Sequence, residues 1–427
     1  MQITRIFKEI NVDDLASYIL CLLVFAMPFT TYHLSYGIII AIIATFFQKD
    51  YKQKFRRLFK KRGFLMFAVF YLYHIIGLLY TKDLYWGFNN LKIKLSLLLI
   101  PYIVFISIDS INRNITCISK FFIGGNLLAS IVCLVIAIIN SYKNGGGEFN
   151  PSVYGIFPGW SYMDLLTAGY TYFNYSFLSK LIHVNYFSMY ILMAVYLVYI
   201  DLINNWQTSG TLKRTFSLIL IIYFVLYLLL LQSRACILSL LIITFIEWIV
   251  FLRKKGRLFI KLVPVTLMIA LIFLIIFKSG RFREIRISVN EAEWYELINK
   301  ELRFTLWAES LEVIKKYPVF GVGTGDVRKT FRNRLVIKMP EFSNDEYYNV
   351  HNEFLETTLR LGLLGGLFLL AIVISPLKKR EIRSDKIYIY VIIIIINFAF
   401  ESMLDRFNGV IFFAIFYSLL NSSKKLI

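Results

Sequence analysis

Cysteine is sparse and unpatterned in this chain. Four occur in 427 residues, Cys21, Cys117, Cys133 and Cys236, all in or beside apolar runs and none in a CxxC pair. That excludes a disulfide framework and gives no support to a zinc site. Charge is sparse too: 17% of residues are charged and 58% hydrophobic, with a mean hydropathy of +0.64. A soluble core could not bury so much apolar surface, so the composition excludes a soluble globular protein. There is no dinucleotide-binding fingerprint and no Walker lysine, hence no nucleotide-binding domain. A small-x-small cleavage site is missing as well. Arg5 and Lys8 precede the first apolar run, but the chain turns at Pro28 to Tyr32 straight into a second run, so the first is read as a retained helix.

What the chain has instead is a series of apolar runs with short charged breaks. They fall at 14–30, 33–47, 64–80, 95–108, 121–139, 184–203, 215–231, 235–252, 262–277, 353–375, 387–403 and 410–421. Each predicts a helix, because a backbone in lipid must satisfy its own hydrogen bonds and the ten-residue alternation of a barrel is not seen. The expectation is an all-α polytopic membrane protein, one integral domain over residues 1–427, with about twelve spans.

Orientation follows from lysine and arginine. The short loops 48–63, 253–261 and 376–386 are rich in both, which assigns them and both termini to the cytoplasm. Residues 278–352 then form a large periplasmic loop and 140–182 a smaller one. The smaller carries many aromatics, among them Tyr154, Trp160 and Tyr172, and suits either the headgroup level or a sugar-binding vestibule. Within the larger, apolar residues from Leu302 to Tyr317 recur at helical spacing, with Arg303 and Trp307 one turn apart on one face, and Pro318 ends the pattern. The net charge of +20 is mostly this topology, so nucleic acid is not an expected partner while membrane lipids are.

Ionisable groups at the ends of spans are costly and mark candidate sites. His351 stands where the large loop re-enters an apolar run, followed by Asn352. Arg234 sits in the tight Gln232-Ser233-Arg234 turn between two spans, either snorkelling or, with Ser233 and the following helix start, holding an anion. Glu401 either pairs with Arg406 or orients a base or cation. Glu356 and Arg360 lie one helical turn apart and are read as neutralising each other. His183 opens a span on the outer face, whereas His74 is read as a packing residue. Gly362 and Gly366 are spaced for close helix packing, and Gly321 to Gly325 reads as a plain loop in preference to a phosphate cradle.

Two further patterns complete the set. His351-Asn352, nine residues and then Gly362-x-x-Gly365 resembles the motif of the bacterial O-antigen ligase family, which also includes O-antigen polymerases. Ser233-Arg234-Ala235 resembles its turn between two spans, and Arg303-x-x-x-Trp307 with Pro318-Val319-Phe320-Gly321-Val322-Gly323 resembles its outer-loop signature. The motifs cover approximately residues 180 to 410; the N-terminal third is similar in topology only.

The resemblance implies a GT-C-like, inner-membrane glycosyltransferase of lipopolysaccharide or polysaccharide biosynthesis, working at the periplasmic face without metal or other cofactor. Its donor would be an undecaprenyl diphosphate-linked glycan, and its acceptor lipid A-core or, in a polymerase, a second glycan unit. By motif correspondence Arg234 and Arg303 would bind the diphosphate and His351 would serve the acceptor. Ser233, Asn352, Trp307, Glu401 and His183 are supporting candidates, and Gly362, Gly365 and Gly366 helix-packing ones. A flippase of lipid-linked oligosaccharide is the rival of a different class, which broken helices and an internal repeat would favour.

Overall fold

The computed structural model describes residues 11–30, 32–153, 162, 165–166, 170–252, 302–338, 349–378 and 387–422. Helices occupy every sequence-read span that falls within them; the span at 262–277 lies outside. They are α1 (Leu15–Ala26), α2 (Tyr32–Phe46), α3 (Tyr51–Leu58), α4 (Arg62–Ile76), α5 (Leu84–Lys94), α6 (Ser96–Ile106), α7 (Ile108–Asn144), α8 (Tyr175–Leu178), α9 (Val184–Asn204), α10 (Thr211–Leu231), α11 (Arg234–Leu252), α12 (Leu302–Lys316), α13 (Val327–Lys338), α14 (Glu353–Ile374), α15 (Ile387–Phe400) and α16 (Phe407–Ser422). No strand is formed among the described residues, only two isolated bridges. Five of these segments are long and apolar enough to cross a membrane: 84–106, 108–144, 184–204, 211–231 and 353–378.

Some sequence-read boundaries shift. The span expected at 95–108 begins eleven residues earlier, because α5 and α6 follow each other with a break only at Leu95. The polar residues of α5, from Asn89 to Lys94, had hidden its continuity with the apolar run. The short last span is explained by burial: from Asn408 to Leu420 every residue of α16 is buried, so it is an all-round apolar helix enclosed by protein.

The described chain divides into two compact units, one of Met1–Asn126, Leu197–Thr208 and Arg303–Ile427, the other of Leu127–Tyr196 and Ser209–Leu302. In the first, α16 packs along α6 and α14 against α4 and α15. Edge-on rings fill the centre, with Phe67 4.6 Å from Tyr417 and 5.3 Å from Phe413, and Phe122 4.9 Å from Phe416, between centroids. Such pairs contribute about 0.5–1.5 kcal/mol each beyond their buried area. In the second unit α10 and α11 form a hairpin, with Tyr227 of α10 against Phe187 of α9.

A break in α14 organises the first unit. At Gly362 the backbone takes φ 73° and ψ −178°, a region open essentially to glycine alone. The helical hydrogen bonds lost there are replaced by distant groups. Val322 N–H donates to the Leu359 carbonyl at 2.8 Å, Gly323 N–H to Arg360 O at 3.1 Å and the Tyr73 hydroxyl to Leu361 O at 2.9 Å, while Leu363 N–H donates to Pro318 O at 2.8 Å. The segment 318–323 is thus the hydrogen-bond partner of the broken helix. At Gly362, read from the sequence as a helix-packing position, a Cβ would run into the Val319 carbonyl of the 318–323 segment. Gly365 and Gly366 face side chains of their own helix, Leu361 and Thr358. Gly362→Ala is expected to cost about 1–3 kcal/mol from backbone strain plus the clash, and Gly124→Ala in α7, where a Cβ would meet nothing, clearly less. Equal thermal unfolding temperatures for the two variants in detergent would remove the break as the organising feature.

Candidate functional site

Asn352 starts α14. Its backbone is extended, and its Oδ1 accepts the Leu355 N–H at 3.1 Å, which satisfies one of the open donors of the first turn. The residue before it, His351, is held at φ 50°, a left-handed conformation unfavourable for a residue with a Cβ. Two hydrogen bonds hold it there: its N–H donates to Asn349 Oδ1 at 3.1 Å, and its ring Nδ1 lies 3.0 Å from Glu401 Oε1. The Glu401 side chain is 9% exposed and that of His351 31%. An ionised carboxylate can only accept, so Nδ1 carries the proton and the neutral ring presents the Nε2 lone pair. Glu401 thus lies against the His351 ring, and Arg406 is exposed.

Trp307 joins this group. Its indole N–H donates to the carbonyl of buried Val350 at 3.0 Å, and its ring lies 6.2 Å from Phe400, next to Glu401. The amphipathic helix expected in the large loop is α12, and this contact pins it beside the histidine. Arg303, half-buried, stands one turn before Trp307 on the same face. Glu309 ties α12 to α13 through Arg334 Nε at 2.6 Å.

The glycine loop that follows is no phosphate cradle. Its successive N–H groups are engaged within the protein: Gly321 to Tyr317 O, Val322 to Leu359 O, Gly323 to Arg360 O, Thr324 to Gly77 O and Gly325 to Thr81 Oγ1. Its role is to complete α14.

Beneath His351 lies a buried ionic network that the sequence reading saw only in part. Arg360 donates to Glu356 at 2.9 Å, as expected, and its other terminal nitrogen lies 3.0 Å from Asp405. Lys94 donates to the same Asp405 oxygen at 3.1 Å and to the Leu404 carbonyl at 3.0 Å. Glu353 accepts the Leu404 N–H at 2.7 Å and the Thr357 hydroxyl at 2.8 Å. Burial alone would raise the Asp405 carboxyl, but the adjacent Arg360 and Lys94 charges hold it well below the usual carboxylate range. The network clamps the 401–406 turn onto α14 and so fixes Glu401 opposite His351. His74, as expected, is a packing residue, fully buried with its Nδ1 2.9 Å from Phe70 O.

The second unit carries the remaining candidates. Gln232 closes α10 in a left-handed conformation, Ser233 is buried, and Arg234 opens α11 partly exposed. His183 is exposed at the start of α9, where its carbonyl accepts the Tyr186 and Phe187 N–H groups.

Comparison with known proteins agrees with the motifs. Residues 218–370 match the family model described as O-antigen ligase, a shorter stretch than the motifs cover, with His183 before it and Glu401 beyond it. The chain is also 30% identical over 123 residues to an uncharacterized protein of Haemophilus influenzae, an alignment covering 26% of this chain and 31% of that protein. It therefore spans about a third of the relative's length. The family resemblance read from the motifs is thus borne out over residues 218–370, which match the O-antigen ligase family model.

Proposed function

We propose that the chain transfers a glycan from an undecaprenyl diphosphate-linked donor to an acceptor hydroxyl at the periplasmic face of the inner membrane, with lipid A-core as the acceptor. The observation that carries this is the Glu401–His351 pair at the entrance to α14, next to the helix that bears Arg303. In this reading His351 Nε2 takes the proton of the acceptor hydroxyl. The oxygen then bonds to the anomeric carbon as that carbon's bond to the diphosphate breaks, and undecaprenyl diphosphate leaves with the bonding pair. Arg303 and Arg234 would stabilise the departing charge, a role in which preorganised cations are effective. Among the described residues the break in α14 is a feature shared with transporters, but the backbone groups it frees are bonded by Val322, Gly323, Pro318 and Tyr73. Binding cargo or ions there would need those groups open, so transfer is favoured over transport.

Purified protein incubated with a lipid diphosphate-linked glycan and offered lipid A-core or a second glycan unit tests the assignment. Product on lipid A-core supports ligation, elongated glycan makes the chain a polymerase, and no covalent product overturns transfer. If the arginines hold the diphosphate through forked guanidinium contacts, Arg234→Lys and Arg303→Lys are each expected to lose on the order of 10²-fold in activity, because a point charge cannot reproduce them. Near-normal activity at normal abundance would reduce either to an anchor. The orientation has its own check. Single cysteines placed at Lys54 and at Lys300, the latter outside the described residues, should differ in labelling by an impermeant reagent in intact cells, with only position 300 accessible; equal labelling would invert the scheme.

A further inference from the structure

The end of the first unit away from His351 holds a basic cavity that the transfer reaction does not use. It measures about 360 Å³ and is lined by Lys60, Lys61, Arg62 and Lys378, with Ser375 and Tyr417 among its polar groups and no carboxylate among the described residues of its wall. α14 runs 22 residues, through its break at Gly362, from the His351 side to this one. The cavity opens where α4 begins, and that helix start has no side-chain cap, which adds the attraction of an unblocked N-terminus to the four cations. Ser375 Oγ and Tyr417 OH are 2.8 Å apart at its inner side, and the tyrosine hydroxyl contacts Met66 sulfur at 3.6 Å.

The surroundings point to the kind of anion. A ladder of rings, Phe46, Tyr51, Phe55, Phe59 and Phe64, with successive centroids 5.0, 5.9, 5.3 and 6.0 Å apart, runs from α2 along the basic helix α3 to α4 and ends beside the cavity. Aromatic rings with neighbouring lysines and arginines mark the headgroup level of a bilayer. Phe59, Leu65 and Leu377, each a sequence neighbour of a lining residue, are exposed and supply apolar surface along which acyl chains can lie. Basic pockets at this depth on the cytoplasmic side suit lipid headgroups. We propose that the cavity binds the phosphate of an anionic glycerophospholipid, with Lys61, Arg62 and Lys378 as its charged contacts.

Full-length protein in detergent, titrated with phosphatidylglycerol or phosphatidylcholine and followed by native mass spectrometry, tests this. Retention of phosphatidylglycerol over phosphatidylcholine is expected. In the triple variant Lys61→Gln, Arg62→Gln, Lys378→Gln the retained lipid should bind on the order of 10²-fold more weakly. A second triple, Lys52→Gln, Arg56→Gln, Arg57→Gln on α3, removes the same charge outside the cavity and should bind as the parent does. Equal loss in both triples would leave only diffuse charge attraction and overturn the site. Displacement of the lipid by millimolar inorganic phosphate would assign the cavity to a free anion and overturn it as well. Should the first triple fail to fold, the single exposed change Lys378→Glu is expected to weaken retention, and unchanged retention there would equally overturn the proposal.

Discussion

His351→Ala is expected to reduce glycan transfer by on the order of 10²- to 10⁴-fold, the range supplied by a positioned general base, while leaving the fold and binding of the lipid-linked donor in place. The fold should survive because the ring is partly exposed and sits outside the buried network: its side-chain contact is to Glu401, and its backbone bond to Asn349 is independent of the ring. Glu401→Gln is the informative companion. An amide can still accept from Nδ1, so the ring stays oriented, but it cannot offset the positive charge the imidazole gains with the acceptor's proton. That variant should fall between the parent and His351→Ala in turnover, with donor binding unchanged. Transfer retained in His351→Ala would refute the base assignment. Loss of donor binding in parallel with transfer would move the histidine to the diphosphate.

Hydropathy made the helices legible because bilayer crossing demands long apolar runs, and loop charge added an orientation at the same level of argument. The site was legible in pieces. His351, Arg303 and Trp307 could be named from their spacing, and two of them prove to be joined through Val350 and the turn at the start of α14. The partnership of residues 318–323 with Gly362 was hidden. A glycine in an apolar run reads the same whether it admits a neighbouring helix or breaks its own, and only the loop some forty residues upstream, supplying Val322, Gly323 and Pro318 as partners, decides between them. Lys94 was hidden for a related reason. At the edge of an apolar run a lysine reads as a snorkelling end, whereas its ammonium is wholly buried against Asp405, 311 positions away. Glu401 was left between two partners because Arg406 is close in sequence; the network's hold on Asp405 and Leu404 turns it toward His351 instead.

Arg360→Ala is the substitution expected to damage the fold most. The guanidinium is 1% exposed and bridges Glu356 and Asp405; its removal leaves both carboxylates buried with Lys94 as the remaining cation of the network, a loss of about 3–5 kcal/mol for a broken buried pair. Because Asp405 is held below its ordinary carboxylate value, its contribution is present above that value and is lost only as pH falls through the lower, folded one. Asp405's share of the stability should therefore be the same at pH 6 and pH 8 and fall only in strong acid. A triple replacement, Arg360→Met with Glu356→Gln and Asp405→Asn, removes the guanidinium together with both of its carboxylates and should recover part of the loss, since neither carboxylate is then left without its cation while Lys94 keeps the Leu404 carbonyl and the charge of Glu353. Thermal unfolding in detergent reads both, and transfer activity separates stability from positioning. If the triple variant regains its unfolding temperature while activity stays low, the network's second task is to hold the 401–406 turn, and with it Glu401, against His351. If Arg360→Ala unfolds within a degree of the parent, the network contributes nothing measurable and the clamp on that turn must lie in the packing of α14 against α15.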